Sequence, residues 1–238
     1  MTDQDALDAD ASGEATISAL ENRRWFPAAL ALGAVAVVVA AALAWALTQR
    51  PPADGSLEAG FARDMIVHHD QAVAMGLAIR DRTADPRLKS LATDIILTQQ
   101  NQIGQMLGWL NVWGLPATGV NPPMAWMGHP PEGSMPSMGT PAGAMAGMTS
   151  SGGRMPGMAT PEELAALERL TGDAADAEFL RLMIRHHQGA IPMAEAALAQ
   201  SSVRPVRDLA RSIVNSQQVE IAAMEALLAE KTTSTDRP

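Results

Sequence analysis

The stretches Phe61-Ala-Arg-Asp-Met-Ile-Val-His-His-Asp70 and Phe179-Leu-Arg-Leu-Met-Ile-Arg-His-His-Gln188 are two copies of one motif, 118 positions apart. The same separation maps Met75 onto Met193, Gln99 onto Gln217 and Met106 onto Met224. Self-similarity at a fixed separation indicates a duplicated structural unit. Ala, Leu and Met dominate both copies and no stretch alternates with period two, so we predict an all-α bundle of two helical hairpins, residues 56–113 and 160–230.

Capping residues predict where the helices begin and end. Ser56 precedes a helix to about Arg80, and Asp85-Pro86 opens a second that ends near Trp113. Thr160-Pro-Glu-Glu163 is a capping box for a short extra helix to about Leu170. Two further helices should run from about Asp173 to Gln200 and, capped by Ser201 or Ser202, to about Glu230. Residues 231–238 are predicted to form a disordered tail.

Each copy carries a seam of residues spaced four and three apart, the pattern of the buried face of a packed helix. The first seam contains Phe61, Met65, His68, Ala72, Met75 and Ile79, and the second contains Phe179, Met183, His186, Ala190, Met193 and Ala197. The partner helices add polar side chains at core positions, bordered by methionines: Gln99, Gln102, Met106, Gln217, Glu220 and Met224. A buried polar layer must be satisfied by hydrogen bonds, water or a metal ion.

Four of the five histidines form the two His-His pairs. We expect His68 and His186 in the core, whereas His69 and His187 lie one step around the helix, towards the flank of the bundle. Imidazole is a frequent metal ligand, and the methionines on the same face favour a metal site. The alternative is that the histidines and glutamines satisfy one another and fix the register of the hairpins.

A linker, residues 114–159, joins the hairpins and carries a second indication of metal binding. Eight of the fifteen methionines lie here as Met-x-x-Met pairs: Met124 and Met127, Met135 and Met138, Met145 and Met148, Met155 and Met158. His129 lies beside Met127. The segment is rich in Gly, Pro and Ser, so we predict that it is flexible. Thioether sulfur is a soft neutral ligand, suited to Cu(I) or Ag(I). The alternatives are low-complexity drift, or methionines that pack against the bundle.

Composition limits the classes of function. The net charge of −9 argues against a nucleic-acid partner, and the absence of cysteine excludes disulfides and thiolate sites. Residues 1–24 form an acidic tail. Residues 25–47 contain no charged side chain and are long enough for a transmembrane helix with Trp25 and Trp45 near its ends.

Arg23 and Arg24 precede this apolar segment and predict a cytoplasmic N-terminus. The protein would then be a single-pass protein of the plasma membrane, with the bundle on the extracytoplasmic side. The alternative is a cleaved signal peptide with Ala44-Trp45-Ala46 as its cleavage site.

The pattern Phe179-Leu-Arg-Leu-Met-Ile-Arg-His-His-Gln-Gly-Ala-Ile-Pro-Met-Ala-Glu195, followed by Ile213-Val-Asn-Ser-Gln-Gln-Val-Glu-Ile221, resembles a bacterial family, domain of unknown function 305. The resemblance covers about residues 56–230 and implies a ferritin-like four-helix bundle. Some members are extracytoplasmic copper-binding proteins linked to copper resistance, so the resemblance implies copper. The first copy departs from the motif at Asp70, Gln71 and Gln102.

These observations predict a membrane-anchored protein that binds copper for sequestration, tolerance or delivery and is not an enzyme. Cu(I) is favoured, and Cu(II) is the alternative because imidazole accepts both. A copper-handling protein or a second copy of the chain is a candidate partner. One alternative function is a ferritin-like di-iron redox protein, although the Glu-x-x-His motif of such sites is absent. The other is a helical interaction module without a metal.

Overall fold

The computed structural model describes residues 30–44, 50–128 and 154–235. The chain divides into two units, Met1–Pro51 and Pro52–Pro238. In the first unit, residues 30–44 form helix α1 with exposed side chains. Within the described ranges no helix combines the length and apolarity needed to cross a membrane. The predicted span 25–47 extends beyond α1 at both ends, and the tail 1–24 also lies outside the described residues. The structure therefore does not support the predicted transmembrane helix.

The second unit contains five α-helices and, in the described part, no extended strand, which confirms the all-α prediction. Helices α2 (Leu57–Arg80) and α3 (Pro86–Val112) form one hairpin, and α5 (Gly172–Gln200) and α6 (Arg204–Thr235) form the other. The hairpins meet mainly through α2 and α5. Helix α4 (Pro161–Arg169) packs on α5, and a short 3-10 helix, η1 (Ala125–Gly128), packs on α2.

The predicted caps begin three of these helices. The Ser56 hydroxyl accepts the Ala59 N–H, and the Asp85 carboxylate accepts the Arg87 N–H ahead of the proline at the start of α3. Thr160 and Glu163 form the capping box of α4. The start of α6 differs, because the Ser201 hydroxyl accepts the Val203 N–H and donates to the Glu58 carboxylate at 2.8 Å. Ser201 therefore joins the hairpins instead of capping α6, which begins at Arg204.

Every residue of the two predicted seams on α2 and α5 is buried. The apolar core forms two clusters, and along the seam the change from one to the other occurs between Met65 and Ala72 on α2 and between Met183 and Ala190 on α5. The first cluster includes Phe61 and Met65 from α2 with Met193 and Ala197 from α5. The second includes Met75 and Ile79 from α2 with Phe179 and Met183 from α5. The two helices therefore run antiparallel, and each central histidine lies at the boundary between two apolar clusters.

Both ends of the linker are packed on the bundle, which corrects the prediction that it is flexible throughout. Met124, Met127 and Met155 are buried in the first cluster, and Met158 packs against it. Hydrogen bonds between the linker and α2 hold these ends. The Asp64 carboxylate accepts the Met124 N–H at 2.7 Å and the Trp126 Nε1–H at 2.8 Å, which fastens the first end. Residues 129–153 lie outside the described part of the chain.

Candidate metal centre

His68 and His186 meet where α2 crosses α5. Their ring centroids are 3.8 Å apart with an interplanar angle of 45°, and neither side chain has any exposed surface. The pairing follows from the shared seam position of the two residues on antiparallel helices. The structure thus brings together the two residues that the sequence analysis placed at the centre of the site.

Hydrogen bonding sets the tautomer of His68. Its Nε2 lies 2.9 Å from the Pro156 carbonyl oxygen, which can only accept, so Nε2 carries the proton. A neutral imidazole with its proton on Nε2 keeps a lone pair on Nδ1. That Nδ1 is buried and has no hydrogen-bond partner. His68 therefore presents the nitrogen a metal requires, while its other nitrogen is held by the backbone in the manner of metal-ligating histidines.

Neither ring nitrogen of His186 has a hydrogen bond of normal geometry, although both are buried, and the backbone of His68 only weakly opposes the lowering of the His186 pKa. Leaving a buried polar group unpaired costs about 1–3 kcal/mol, so native proteins rarely leave both nitrogens of a core histidine without a partner. The alternative that the buried histidines and glutamines hydrogen-bond to one another therefore does not account for His186. Its unpaired nitrogens fit a site at which a ligand completes the imidazole.

His69 and His187 are fully buried, which corrects the expectation that they lie towards the flank as outer groups. His69 Nε2 donates to Gln102 Oε1 at 2.7 Å, inside the first hairpin, and His187 Nε2 donates to Glu220 Oε2 at 2.7 Å, inside the second. Each histidine and its partner are 33 residues apart. His68 and His186 therefore lie between the two hairpins, whereas the next residue on each helix, His69 or His187, lies inside one hairpin.

Burial keeps the central imidazoles neutral. Removal from water lowers the pKa of His68 to about 4 and that of His69 to about 3, and the neighbouring histidines add to the effect. For His186, burial and then the adjacent imidazoles lower the pKa well below its ordinary value. A metal binds the neutral form of imidazole. The site is therefore ready for a cation at neutral pH without first losing protons.

Two buried amides occupy equivalent positions on the partner helices α3 and α6. Gln99 on α3 and Gln217 on α6 are each 1% exposed, and neither the oxygen nor the nitrogen of either amide has a hydrogen-bond partner. Their burial confirms the predicted polar layer on the partner helices. His69 and His187 thus each have one bonded nitrogen and a buried Nδ1 without a partner, whereas His186 and these two amides have no hydrogen bond.

The methionines of the seams lie on both sides of the histidine pair. The first cluster contains Met65, Met106 and Met193, and the second contains their counterparts at a separation of 118, Met183, Met224 and Met75. All six are buried. In the described parts of the linker, Met124, Met127 and Met155 are buried in the first cluster and no methionine is buried in the second, so the arrangement is asymmetric. The remaining linker candidates, His129, Met135, Met138, Met145 and Met148, lie outside the described residues.

Histidine and carboxylate side chains alone do not form a centre in the described ranges, where no group of three or more is arranged to hold a metal ion. A di-iron site of the ferritin-like type requires such a group. A metal at His68 and His186 would need further ligands of another kind. The buried thioethers of α2 and α5 lie in the same seams as these histidines, and thioether is a soft ligand that suits Cu(I).

Two residues that support the site were not predicted from the sequence to do so. Gln71 binds the backbone of Ala159 through both ends of its amide, and Asp64 holds the first end of the linker. Burial raises the pKa of Asp64, and its hydrogen bonds to Met124 and Trp126 oppose that shift. A signal for Gln71 was present, because the two copies of the motif differ there: its counterpart is Gly189.

The sequence matches the domain of unknown function DUF305 over residues 58–228, which is more than half of the chain. The chain belongs to the DUF305 family. The match includes all four long helices of the bundle and both His-His pairs, and it confirms the resemblance drawn from the motif.

Solved structures of DUF305 proteins share this fold. A candidate secreted DUF305 protein from Streptomyces coelicolor is 43% identical to this chain, with a TM-score of 0.64, and the alignment covers 76% of this chain and 96% of that one. CopM in its Cu(II)-bound form is 25% identical, with a TM-score of 0.51 and coverage of 74% and 97%. CopM in its Cu(I)-bound form is 24% identical, with a TM-score of 0.52 and coverage of 75% and 97%, a likeness of fold.

A shorter likeness links this DUF305 protein to an uncharacterized protein, L153, of Acanthamoeba polyphaga mimivirus. The two are 52% identical over 46 residues, which is 19% of this chain and 30% of the viral protein. The chain therefore matches less than a third of the length of that relative.

Proposed function

We propose that this DUF305 protein binds copper, with Cu(I) as the favoured ion, and holds it for sequestration or delivery without chemical turnover. The observation that carries the proposal is the pair of buried imidazoles, His68 and His186. One ring nitrogen of His68 and both of His186 lack a partner, and burial keeps both rings neutral.

The surrounding side chains favour a soft ion. Met65 and Met183 each precede a central histidine by three residues on the same helix, one in each apolar cluster. A site of neutral imidazole and thioether ligands stabilises Cu(I) more than a hard or doubly charged ion. Cu(II) remains the second candidate because imidazole also accepts it. The copper-bound structures of CopM, a relative with the same fold, support copper as the cargo.

The linker methionines extend the proposal. Met135, Met138, Met145 and Met148 form two Met-x-x-Met pairs in a segment almost free of charge. We assign them the first capture of the ion, and we assign its retention to the buried pair. On this account the protein binds more than one equivalent of Cu(I), with weaker sites in the linker and a tighter site in the bundle.

The proposed location rests on sequence alone. The uncharged run 25–47 after Arg23 and Arg24 favours a single membrane anchor with the bundle outside the cytoplasm. Fusions to alkaline phosphatase, which is active only after export, and to a fluorescent protein that matures in the cytoplasm test it. An active phosphatase fusion after Pro238 supports the location, whereas a fluorescent cytoplasmic fusion at the same residue contradicts it.

The copper proposal is tested by anaerobic titration of the full chain with Cu(I) against a chromophoric chelator, with Zn(II) and Fe(II) as control ions. We expect tight, selective uptake of Cu(I). H68N/H186N should lose the tighter site, and the matched control D70N, an exposed change on α2, should keep it. Wild-type protein that takes up no Cu(I), or that prefers Fe(II), would contradict the proposal.

A further inference from the structure

The last stretch of the linker, residues 154–160, lies over the histidine pair and is here called the strap. Met155 and Ala159 are buried, and the residues between them are half-buried. The strap contacts both helices that carry the pair. Among the described histidines, His68 is the one that binds the strap, through a hydrogen bond from its Nε2 to the Pro156 carbonyl.

Gln71 fastens the strap to α2. Its amide nitrogen donates to the Ala159 carbonyl at 3.1 Å, and its amide oxygen accepts the Ala159 N–H at 2.7 Å. One side chain thus satisfies both backbone groups of a single strap residue, as a neighbouring β-strand would. Gln71 and His68 are three residues apart on α2, so they lie on one face and bind the strap three residues apart.

On α5 the strap is held by backbone contact. Gly157 has a φ of +78°, a conformation that side chains disfavour, and a Cβ there would lie 2.4 Å from the Arg185 carbonyl oxygen. A Cβ on Gly189 would lie 2.1 Å from the Pro156 carbonyl oxygen. Two glycines therefore let the strap backbone rest against the α5 backbone beside His186. No side chain of ordinary size fits between them.

This arrangement explains one of the differences between the two copies of the motif. Gln71 and Gly189 are counterparts at the 118-residue separation, and each serves the strap in a different way. Gln71 supplies the hydrogen bonds that hold the strap, and Gly189 supplies the space in which it lies. The glutamine on α2 and the glycine on α5 thus have complementary roles in holding one segment.

We propose that Gln71 is a positioning residue for the metal site: through the strap it places the Pro156 carbonyl against His68 and so fixes the nitrogen that His68 offers to a metal. With Nε2 donating to Pro156, Nδ1 keeps its lone pair. The opposite tautomer would set the lone pair of Nε2 against that of the carbonyl oxygen. The inference rests on the proposed copper function in one respect: that the free Nδ1 is there to bind a metal ion.

The strap also covers the pair, because neither imidazole has exposed surface. An ion from solvent must therefore await a local opening of the structure. Gln71 provides two of the three hydrogen bonds that join Pro156 and Ala159 to α2. Gln71 then controls both the tautomer of His68 and how often the strap opens.

The test uses the full chain without metal, and the variant Q71M keeps the length of the side chain but removes both hydrogen bonds. Q188M is the matched control, since Gln188 is exposed on α5 beside His187. Arg154 is the one trypsin site in residues 114–160, so cleavage after Arg154 reports strap opening. Loss of two hydrogen bonds should speed this cleavage by about tenfold or more in Q71M. Q188M should match the wild type.

Imidazole nitrogen NMR of the same metal-free proteins gives the second readout. Wild type and Q188M should show His68 as the Nε2–H tautomer, and Q71M should show a mixture. G189A, which displaces the strap by steric conflict and removes no hydrogen-bonding group, should act as Q71M does. Unchanged cleavage and an unchanged tautomer in both Q71M and G189A would overturn the inference. Because no metal is present, a wild type that fails to bind Cu(I) would refute the proposed function and leave these results standing.

Discussion

At the scale of single residues, the four paired histidines have different roles despite their identical sequence context. His69 and His187 each donate to a side chain of the neighbouring helix, which is a structural arrangement. His68 has one nitrogen bound by backbone, and His186 has neither nitrogen bound. Neighbours on one helix differ because a step of one residue turns a side chain by about 100°. The adjacent positions therefore differ in their partners, since His69 and His187 bind side chains of the neighbouring helix, whereas His68 and His186, which we propose as ligands, do not.

This difference predicts opposite effects of similar substitutions on the metal-free protein. H69L leaves Gln102 buried without a partner and should lower the free energy of unfolding by about 1–3 kcal/mol. H186L removes a polar group that has no partner, so the same quantity should stay within about 1 kcal/mol of the wild type. Urea denaturation at pH 7.5 measures both. An H186L variant as unstable as H69L would indicate that His186 is structural.

The lowered pKa values predict how stability depends on pH. In the unfolded chain a histidine titrates near 6.5, whereas in the folded protein His68 and His69 titrate near 4 and 3. Between pH 6.5 and 4 the unfolded state thus binds more protons than the folded state, and stability falls as the pH falls. Each such histidine contributes about 1.4 kcal/mol per pH unit over this window.

Urea denaturation of the metal-free protein at several pH values between 7.5 and 4 measures this slope. The slope should be smaller in H186L, because burial also lowers the pKa of His186. A stability that does not change between pH 6.5 and 5 would contradict the neutral, buried state of these histidines.

At the scale of elements, the linker is fastened to the bundle at both described ends, by Asp64 at the first and Gln71 at the second. Asp64 lies one residue before Met65 on α2, and it holds η1 through the backbone of Met124 and the indole of Trp126. The two attachments place methionines of the first and last Met-x-x-Met pairs inside the first apolar cluster.

D64A should lower the free energy of unfolding by about 2 kcal/mol or more, because it removes two hydrogen bonds to a carboxylate and leaves the Trp126 indole unpaired. D70A, an exposed change on the same helix, is the control and should stay within about 0.5 kcal/mol of the wild type. Urea denaturation followed by far-UV circular dichroism measures both. Equal stability of D64A and D70A would show that the attachment of η1 contributes nothing.

The sequence predicted the elements well and the connections poorly, for a physical reason. Helix ends follow from local capping, so Ser56, Asp85 and Thr160 could be recognised in isolation. The buried seams follow from helical periodicity. The packing of Met124 and Met155 depends on side chains about 60 and 90 residues away in sequence, such as Asp64 and His68, and no local pattern in the linker records them. Ser201 was assigned a cap because its partner Glu58 is 143 residues away in sequence.

At the scale of the whole molecule, the two hairpins are alike in their buried seams and unlike in their attachments. The histidines, glutamines and seam methionines occur twice, whereas the described linker methionines all pack in or against the first apolar cluster. Carboxylate Glu220 also stands where the first hairpin has the amide of Gln102. We therefore expect one central metal site with an asymmetric linker, and we do not expect two equal metal sites.

A whole-molecule prediction separates the linker from the bundle. Replacing Met135, Met138, Met145 and Met148 by leucine should lower the number of Cu(I) ions bound and leave the tightest site intact. M75L/M224L, which changes methionines of the second cluster, is the comparison and should weaken the tightest site while sparing the rest. Competition titration of the full chains measures both quantities. A linker variant that binds the wild-type number of Cu(I) ions would contradict a role of the linker in copper binding.

The central claim is that copper is held at the meeting point of α2 and α5 by His68 and His186. X-ray absorption spectroscopy of the full chain loaded anaerobically with one equivalent of Cu(I) tests it most directly, because imidazole nitrogen and thioether sulfur scatter differently. The account predicts both kinds of scatterer around the ion in the wild type and loss of the imidazole contribution in H68N/H186N. A wild-type site with sulfur scatterers alone, or an imidazole contribution that survives in the double variant, would contradict it.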